Sequence, residues 1–204
     1  LEIRISATPI SQGDEMVTVY REDVVKEEMI KESIVLNPAL NPGDDSLTET
    51  LIREALAKRN EIAQAYNSLN ININPLLLIQ LPNDTNEANT AEDTRIKDEV
   101  VKYLSAKEGI TVQNGRLAVW LSKEKENLQG IEDLDNLTEV LLFKQAIALG
   151  WDCPRAAVLL IFRKMESFTF TMQTLGRILR MPEQKFYTNP LLNKGYVYTD
   201  LSRK

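Results

Sequence analysis

Two arginines, a glutamine and a glycine lie close together in TMQTLGRILRMPE, residues 171–183. Because Gln173, Arg177 and Arg180 are spaced by four and three, a helix would place their side chains next to one another. Two guanidinium groups on one face repel each other unless they share an anion, and each offers a planar fork of donors suited to a phosphate. Gly176 costs a helix about 1 kcal/mol relative to alanine, which suggests a close approach to its backbone. The stretch predicts a helix that holds a phosphate.

A core helix with charged edges is the alternative interpretation of the same stretch. Phe170, Leu175, Ile178 and Leu179 supply an apolar stripe at helical spacing, which a hydrophobic core would bury. The arginines would then be solvated residues at the border of that stripe. Taken alone, the stretch is compatible with both interpretations.

A second loop with polar chemistry is KQAIALGWDCPR, residues 144–155. Gly150 can end a short helix because glycine adopts a positive φ without strain, and Asp152 stands at the start of the next turn, which Pro154 stiffens. A carboxylate in that position can accept a hydrogen bond from a ribose hydroxyl or from an arginine. The alternative is a helix end with a turn-forming aspartate and Trp151 packed over the core.

Short apolar runs alternate with helical patterns through the second half of the chain and would position both loops. The predicted strands are 76–81, 117–121, 139–143, 156–162 and 195–199, and the predicted helices between them are 91–106, 144–149 and 168–180. Runs that are apolar on both faces and separated by helices indicate a parallel sheet covered on two sides. In such folds ligands bind beyond the carboxyl ends of the strands. The sequence therefore predicts an α/β fold, a three-layer sandwich with a mainly parallel sheet.

The first third of the chain predicts fewer elements. LEIRI alternates and is rich in β-branched residues, which is typical of a short strand, and it runs directly into SATP. Residues 19–32 have helix-like spacing, and the turn-rich NPALNPGDD after them is a candidate linker. Ser46 and Glu49 form an S-x-x-E capping box that predicts a helix to about Leu69.

The composition excludes several classes of site. One cysteine, Cys153, cannot form an internal disulfide, and the chain contains no histidine, so familiar zinc and haem sites and Ser-His or Cys-His catalysis are excluded and no metal site is predicted. No apolar run approaches the ~18 residues of a membrane span, and the first residues lack a signal-peptide pattern, so we expect a cytoplasmic protein. Residues 141–204 carry 10 Lys and Arg against 4 Asp and Glu, whereas the earlier residues carry 14 against 26. This asymmetry allows one local anion-binding face or a solvated charge imbalance.

Three motifs together resemble those of superfamily 2 helicases. QTLGRILR resembles the Q-x-x-G-R-x-x-R sixth motif, ALGWDCPRAAVL resembles the fifth motif, and ISATP at residues 5–9 resembles the S-A-T third motif. GWDCPR and GRILRMPE are most similar to the Res subunit of prokaryotic type III restriction-modification enzymes, an ATP-dependent DNA-translocating subunit. The resemblance implies a RecA-like second motor domain at residues 75–204, a linker with a long helix at 10–74, and the last strand of the first motor domain at 1–9.

The resemblance also implies roles for single residues. Arg180 would act as an arginine finger toward the γ-phosphate of ATP, with Arg177 near the phosphates or at the domain interface and Gln173 as polar support. The other implied sets are Gly150, Asp152 and Gly176 for nucleotide binding; Ser6, Ala7 and Thr8 for coupling; and Lys144, Gln145 and Arg155 for DNA binding. Lys144 and Gln145 stand where many relatives have Thr and Asp, although a lysine can contact the DNA backbone as a point charge.

No G-x-x-x-x-G-K-[ST] loop occurs in the sequence, and Asp14-Glu15 follows SATP instead of preceding it, so Walker A and B elements are missing. The resemblance therefore implies a fragment that does not hydrolyse ATP alone. In the full-length enzyme we expect ATP and Mg²⁺ as cofactors, a nuclease after Lys204, and double-stranded DNA and a methyltransferase subunit as partners. The alternatives are a DNA repair or remodelling helicase of the same superfamily and a non-catalytic RecA-like binding module.

Overall fold

A computed structural model describes residues 18–38, 46–82, 90–144, 151–162 and 174–199, without the side chains of 90–94. Several predicted features lie outside the described residues. They are the strand at residues 1–5, the helix at 145–149, and the site residues Ser6, Ala7, Thr8, Gln145, Gly150 and Gln173.

Helices and strands alternate along most of the described chain. Helices are α1 (Arg21–Lys26), α2 (Leu47–Ser68), α3 (Thr90–Glu108), a short helix at residues 174–178 that we name the arginine helix, and a 3₁₀ helix (Pro190–Asn193). Strands are β1 (Ser33–Leu36), β2 (Leu76–Gln80), β3 (Leu117–Trp120), β4 (Lys125–Glu126), β5 (Val140–Phe143), β6 (Ala156–Ile161) and β7 (Lys194–Thr199).

The seven strands form one sheet in the order β1-β7-β6-β2-β5-β3-β4. Every neighbouring pair is parallel except β3 and β4, which form an antiparallel hairpin at one edge. Side chains of the central strands alternate between two buried clusters, one under α2 and α3 and the other under residues 151–153 and the arginine helix. The predicted α/β fold with a mainly parallel sheet covered on both faces is confirmed.

Local signals explain the best-predicted elements. The side chain of Ser46 accepts a hydrogen bond from the backbone of Glu49 at the start of α2, as the capping box predicts. β2, β5 and β6 are buried along their whole length, which is why their sequences are apolar without alternation.

The structure differs from the sequence prediction between residues 19 and 36. Helix covers only Arg21–Lys26 of the segment with helix-like spacing, and residues 33–36 form β1, which pairs in parallel with β7. In addition, α2 packs against the sheet. Both elements fall in the predicted linker at 10–74, yet they belong to the same sheet and core as the later strands.

A network of charges covers the end of the sheet where β2 and β5 begin. Glu139 accepts two hydrogen bonds from Arg116, at 2.7 and 3.0 Å, and lies 3.6 Å from a guanidinium nitrogen of Arg59. The Arg59 side chain is 7% exposed and also donates to the carbonyl of Pro75, 2.9 Å away. Glu139 thus neutralises a cation that water barely reaches.

We expect Glu139→Gln to lower the free energy of unfolding by on the order of 3 kcal/mol, because it leaves the buried Arg59 without a counter-charge. Glu99→Gln is the matched control, since Glu99 pairs with Arg95 at 2.6 Å on the exposed surface of α3 and should cost less than about 1 kcal/mol. Urea unfolding of both variants measures the difference, and equal losses would contradict the buried role of Glu139.

Candidate functional site

The loop at residues 151–155 and the arginine helix meet on the sheet face opposite α2 and α3. Trp151, Cys153 and Ile178 are buried there against β2, β5 and β6. Their apolar side chains fix the backbones of two segments that are far apart in sequence. As a result, the polar residues next to them, Asp152 and Arg177, lie close together on the same side of the sheet.

The two predicted motif segments contact each other directly through polar groups. Arg180 forms an ion pair with Asp152, and Arg177 donates a hydrogen bond to the backbone carbonyl of Trp151. The side chains of Arg180 and Asp152 are 43% and 54% exposed. The aspartate therefore has an arginine partner, one of the two kinds of donor that the sequence allowed for it.

The Arg177 guanidinium lies near an aromatic ring and near charged side chains. Its guanidinium lies 5.8 Å from the centre of the Trp151 ring, and that ring meets Trp120 edge-to-face at 6.1 Å. Burial lowers the pKa of Arg177, the positive charge of Arg180 lowers it further, and Asp152 opposes both effects. The two arginines and one aspartate carry one surplus positive charge, as an anion site requires.

The position of this group on the sheet differs from the expectation of a site beyond the carboxyl ends of the strands. Arg180 forms an isolated antiparallel bridge with Ile30, just before β1, and Ile178 approaches Gly195 near the start of β7. Arg180 therefore lies toward the amino ends of these strands. Trp120, at the carboxyl end of β3, marks the other side of the group.

Arg155 does not lie where the predicted DNA-binding role requires it. Its side chain is 1% exposed and donates to three backbone carbonyls, those of Ile131, Asn74 and Thr138, at 2.7–2.9 Å. Burial lowers the pKa of its guanidinium. Its donors point into the protein and join three loops, so the structure does not present this guanidinium to DNA, and the DNA-binding role of Arg155 stays a prediction. Lys144 follows β5 and is half-buried, and its role stays a prediction.

Lys31 is a buried residue next to the site that the sequence did not single out. Its Nζ donates to the carbonyls of Ile178, at 2.8 Å, and Ala156, at 3.3 Å, and the residue is 1% exposed. Burial lowers the pKa of Lys31 to about 7, with a smaller opposing effect from Cys153. In the sequence it stands in KEEMIKE, where a lysine is expected on a solvated surface, so no signal indicated its burial.

Two glycines differ in what surrounds them, Gly176 within the arginine helix and Gly195 on β7 where that helix packs. A Cβ on Gly195 would lie 3.2 Å from a side-chain carbon of Ile178 and 3.3 Å from its carbonyl oxygen, so glycine allows the helix to approach β7. A Cβ on Gly176 would meet no described protein atom within 4 Å. Packing within the described residues therefore does not account for the glycine at 176.

The comparisons with known proteins give similarity in structure without a match in sequence. No protein-family model matches this chain, and no curated protein matches it in sequence. A solved structure described as Mss116p DEAD-box helicase domain 2 bound to an RNA duplex is similar with 9% identity and a TM-score of 0.38, over 82% of this chain and 52% of that one. The chain thus spans about half the length of that structure, and a similarity of this size carries no inference about activity.

Two features are absent from the described part of the chain. None of its helices combines the length and apolarity needed to cross a membrane. In the same ranges no three Cys, Asp or Glu side chains come together as metal ligands.

The two glycines generate opposite expectations for stability. Gly176→Ala should raise the free energy of unfolding by about 0.5–1 kcal/mol, because alanine favours helix and its Cβ enters open space. Gly195→Val should lower it by about 1–3 kcal/mol, because the added carbons press on Ile178. Urea unfolding checks both variants, and a stabilising effect of Gly195→Val would refute the close packing of the arginine helix on β7.

Lys31 predicts a pH dependence of stability with a definite sign. Its pKa is about 7 in the folded protein and 10.5 unperturbed, so between these values the unfolded chain binds more protons. Folding stability should therefore rise with pH from 7 to 9, by about 1 kcal/mol per pH unit from this residue.

Lys31→Met should remove this rise. The variant and the wild type are compared by urea unfolding at pH 7, 8 and 9. Burial raises the pKa of Cys153 from 9.0 to about 11, so this thiol lowers the stability of both proteins toward pH 9, and the difference between their curves reports Lys31. Parallel stability curves for the two proteins would contradict the lowered pKa of Lys31.

Proposed function

We propose that this chain is the second motor domain of an ATP-dependent DNA translocase of helicase superfamily 2, and more narrowly of a type III restriction Res subunit. The ion pair between Arg180 and Asp152 is the observation that supports the proposal most directly. It joins the two segments that resemble the fifth and sixth helicase motifs. A motor domain needs this adjacency because both motifs must reach one nucleotide.

The solvent exposure of the Arg180–Asp152 pair supports a role in which a phosphate replaces the carboxylate. An ion pair with side chains that are 43% and 54% exposed contributes only about 0–1 kcal/mol. A phosphate that approaches Arg180 can therefore replace the carboxylate at little cost. The surplus positive charge of Arg177, Arg180 and Asp152 favours that replacement, and the planar guanidinium suits two phosphate oxygens at once.

Arg177 and Arg180 then have separate tasks. ATP, when bound, supplies a γ-phosphoryl group on which negative charge develops during transfer. Arg180 leaves Asp152 and donates to the phosphate oxygens. Arg177 keeps its hydrogen bond to the Trp151 carbonyl and holds the arginine helix in register with the loop. Asp152, once released, is available to accept a hydrogen bond from a hydroxyl group such as that of a ribose.

The remaining parts of the ATP site come from another domain in this proposal. The sequence contains no Walker A loop, so nothing in it matches the backbone cradle and the Ser or Thr that hold a nucleotide with Mg²⁺. The chain by itself is then expected to lack ATPase activity. Lys144, after β5, is the remaining described candidate for a contact with the DNA backbone, and the methyltransferase subunit is the proposed protein partner.

The test of the proposal is DNA-stimulated ATP hydrolysis by a protein in which this chain follows its first motor domain. Arg180→Ala should lower turnover by roughly 10³-fold or more, because the lost cation stabilises the transition state. DNA affinity should change less than about threefold, because the lost group does not contact the duplex. Arg95→Ala, at an exposed position of α3, is the matched control and should keep wild-type turnover.

Wild-type turnover in Arg180→Ala would refute the assignment of the arginine finger. ATP hydrolysis by the 204-residue chain alone would also count against it, because the phosphates would then bind elsewhere. The narrower identity is tested by DNA cleavage in the presence of ATP and a methyltransferase subunit. Turnover without cleavage would favour a repair or remodelling helicase, and absence of both would favour a binding module.

A further inference from the structure

Residues 29–31 clamp the chain that follows the arginine helix. The backbone amide of Lys31 donates to the carbonyl of Leu179 at 2.6 Å, and that of Met181 donates to the carbonyl of Met29 at 3.2 Å. Ile30 and Arg180 face each other in an antiparallel bridge between these bonds. The backbone of Arg180 is therefore fixed by a segment about 150 residues earlier in the sequence.

The Lys31 side chain extends this clamp into the core. Its Nζ donates to the carbonyl of Ile178, the last residue of the arginine helix, and to that of Ala156, the first residue of β6. The loop that carries Asp152 ends directly before Ala156. The Lys31 side chain thus bonds the end of the arginine helix and the residue that follows the Asp152 loop, from the buried side.

We propose that Lys31 is the positioning residue of this site, holding the end of the arginine helix at a fixed distance from the loop that carries Asp152. The effect of Lys31 on catalysis rests on the proposed function, whereas its effect on the geometry of the site does not depend on any activity. The hydrogen bonds that Lys31 donates to this segment go to the backbone carbonyls of Ile178 and Leu179, which lie between Arg177 and Arg180.

The chemistry of the position favours this role over simple filling of the core. A fully buried amine is costly to desolvate, and an apolar side chain of similar length would fill the same space without that cost. A lysine can bond two carbonyls at once, because it has three N–H donors as an ammonium and keeps two as a neutral amine. Cations also stabilise the carbonyl end of a helix, where the unpaired oxygens carry partial negative charge.

The first experiment measures geometry in this chain without nucleotide, through the ¹⁵Nε–H NMR signals of Arg177 and Arg180. In Lys31→Met both signals should shift, and their exchange with water should accelerate at least about threefold, because the helix end is no longer bonded to β6. Lys26→Met is the matched control, since Lys26 is an exposed lysine on α1, and should leave both signals in place.

The second experiment measures kinetics in the protein that contains the first motor domain. Lys31→Met should lower kcat for DNA-stimulated ATP hydrolysis on the order of 10–100-fold, since misplacement by about 1 Å can cost that much. KM for ATP should change less than about threefold, because the residue acts on the placement of the arginines and not on nucleotide affinity. A purely structural loss would instead lower the active fraction, which active-site titration measures.

The outcomes separate the two proposals. A folded Lys31→Met protein with unchanged arginine signals, or with unchanged kcat, overturns the positioning role. If the wild-type protein has no ATP turnover, the proposed function fails, and the NMR result alone decides the role of Lys31. If Lys31→Met does not fold, Lys31→Gln takes its place. Its shorter amide cannot reach both carbonyls, so shifted signals in a folded protein support the role and unchanged signals refute it.

Discussion

Burial of the sheet on both faces is the constraint on which the rest of the structure depends. Parallel strands such as β2, β5 and β6 expose apolar side chains on each side, and each side has to be covered. Two long helices, α2 and α3, cover one face. In the described chain the other face is covered by shorter segments, the loop around Trp151 and the arginine helix. The need to cover this face brings Asp152 within reach of Arg180.

The same burial forces several cations into places without water, and backbone carbonyls compensate for it. Arg155 and Lys31 each donate to carbonyls of loops or element ends, where the regular ladder of hydrogen bonds stops. Arg59 has Glu139 as well. These buried basic side chains therefore join loops and element ends just beyond the sheet ladders, and they stabilise the edges of the core rather than its centre.

The sequence predicts the elements that local chemistry determines. The apolar runs of β2, β5 and β6 and the capping box at Ser46 appear in the structure. Of the helix predicted at 168–180, the described residues show helix at 174–178, which includes Arg177, whereas Arg180 lies beyond its end in a bridge with Ile30. β1 could not be predicted in the same way, because it is only four residues long and is held by pairing with β7, a strand distant in the sequence. The burial of Arg155 and Lys31 also depends on distant carbonyls, and the residue type alone suggests a solvated or DNA-facing cation.

The candidate site combines a firmly held backbone with a loosely held side chain. The Lys31 side chain is buried, so displacing the backbone next to Arg180 breaks a hydrogen bond that water does not readily replace. The pair of Arg180 with Asp152 is exposed to solvent and contributes little to stability. The role proposed for Arg180, in which it leaves a carboxylate and meets a phosphate, needs both properties, because a mobile backbone would lose alignment and a buried pair would resist exchange. A helix that only filled the core would need neither.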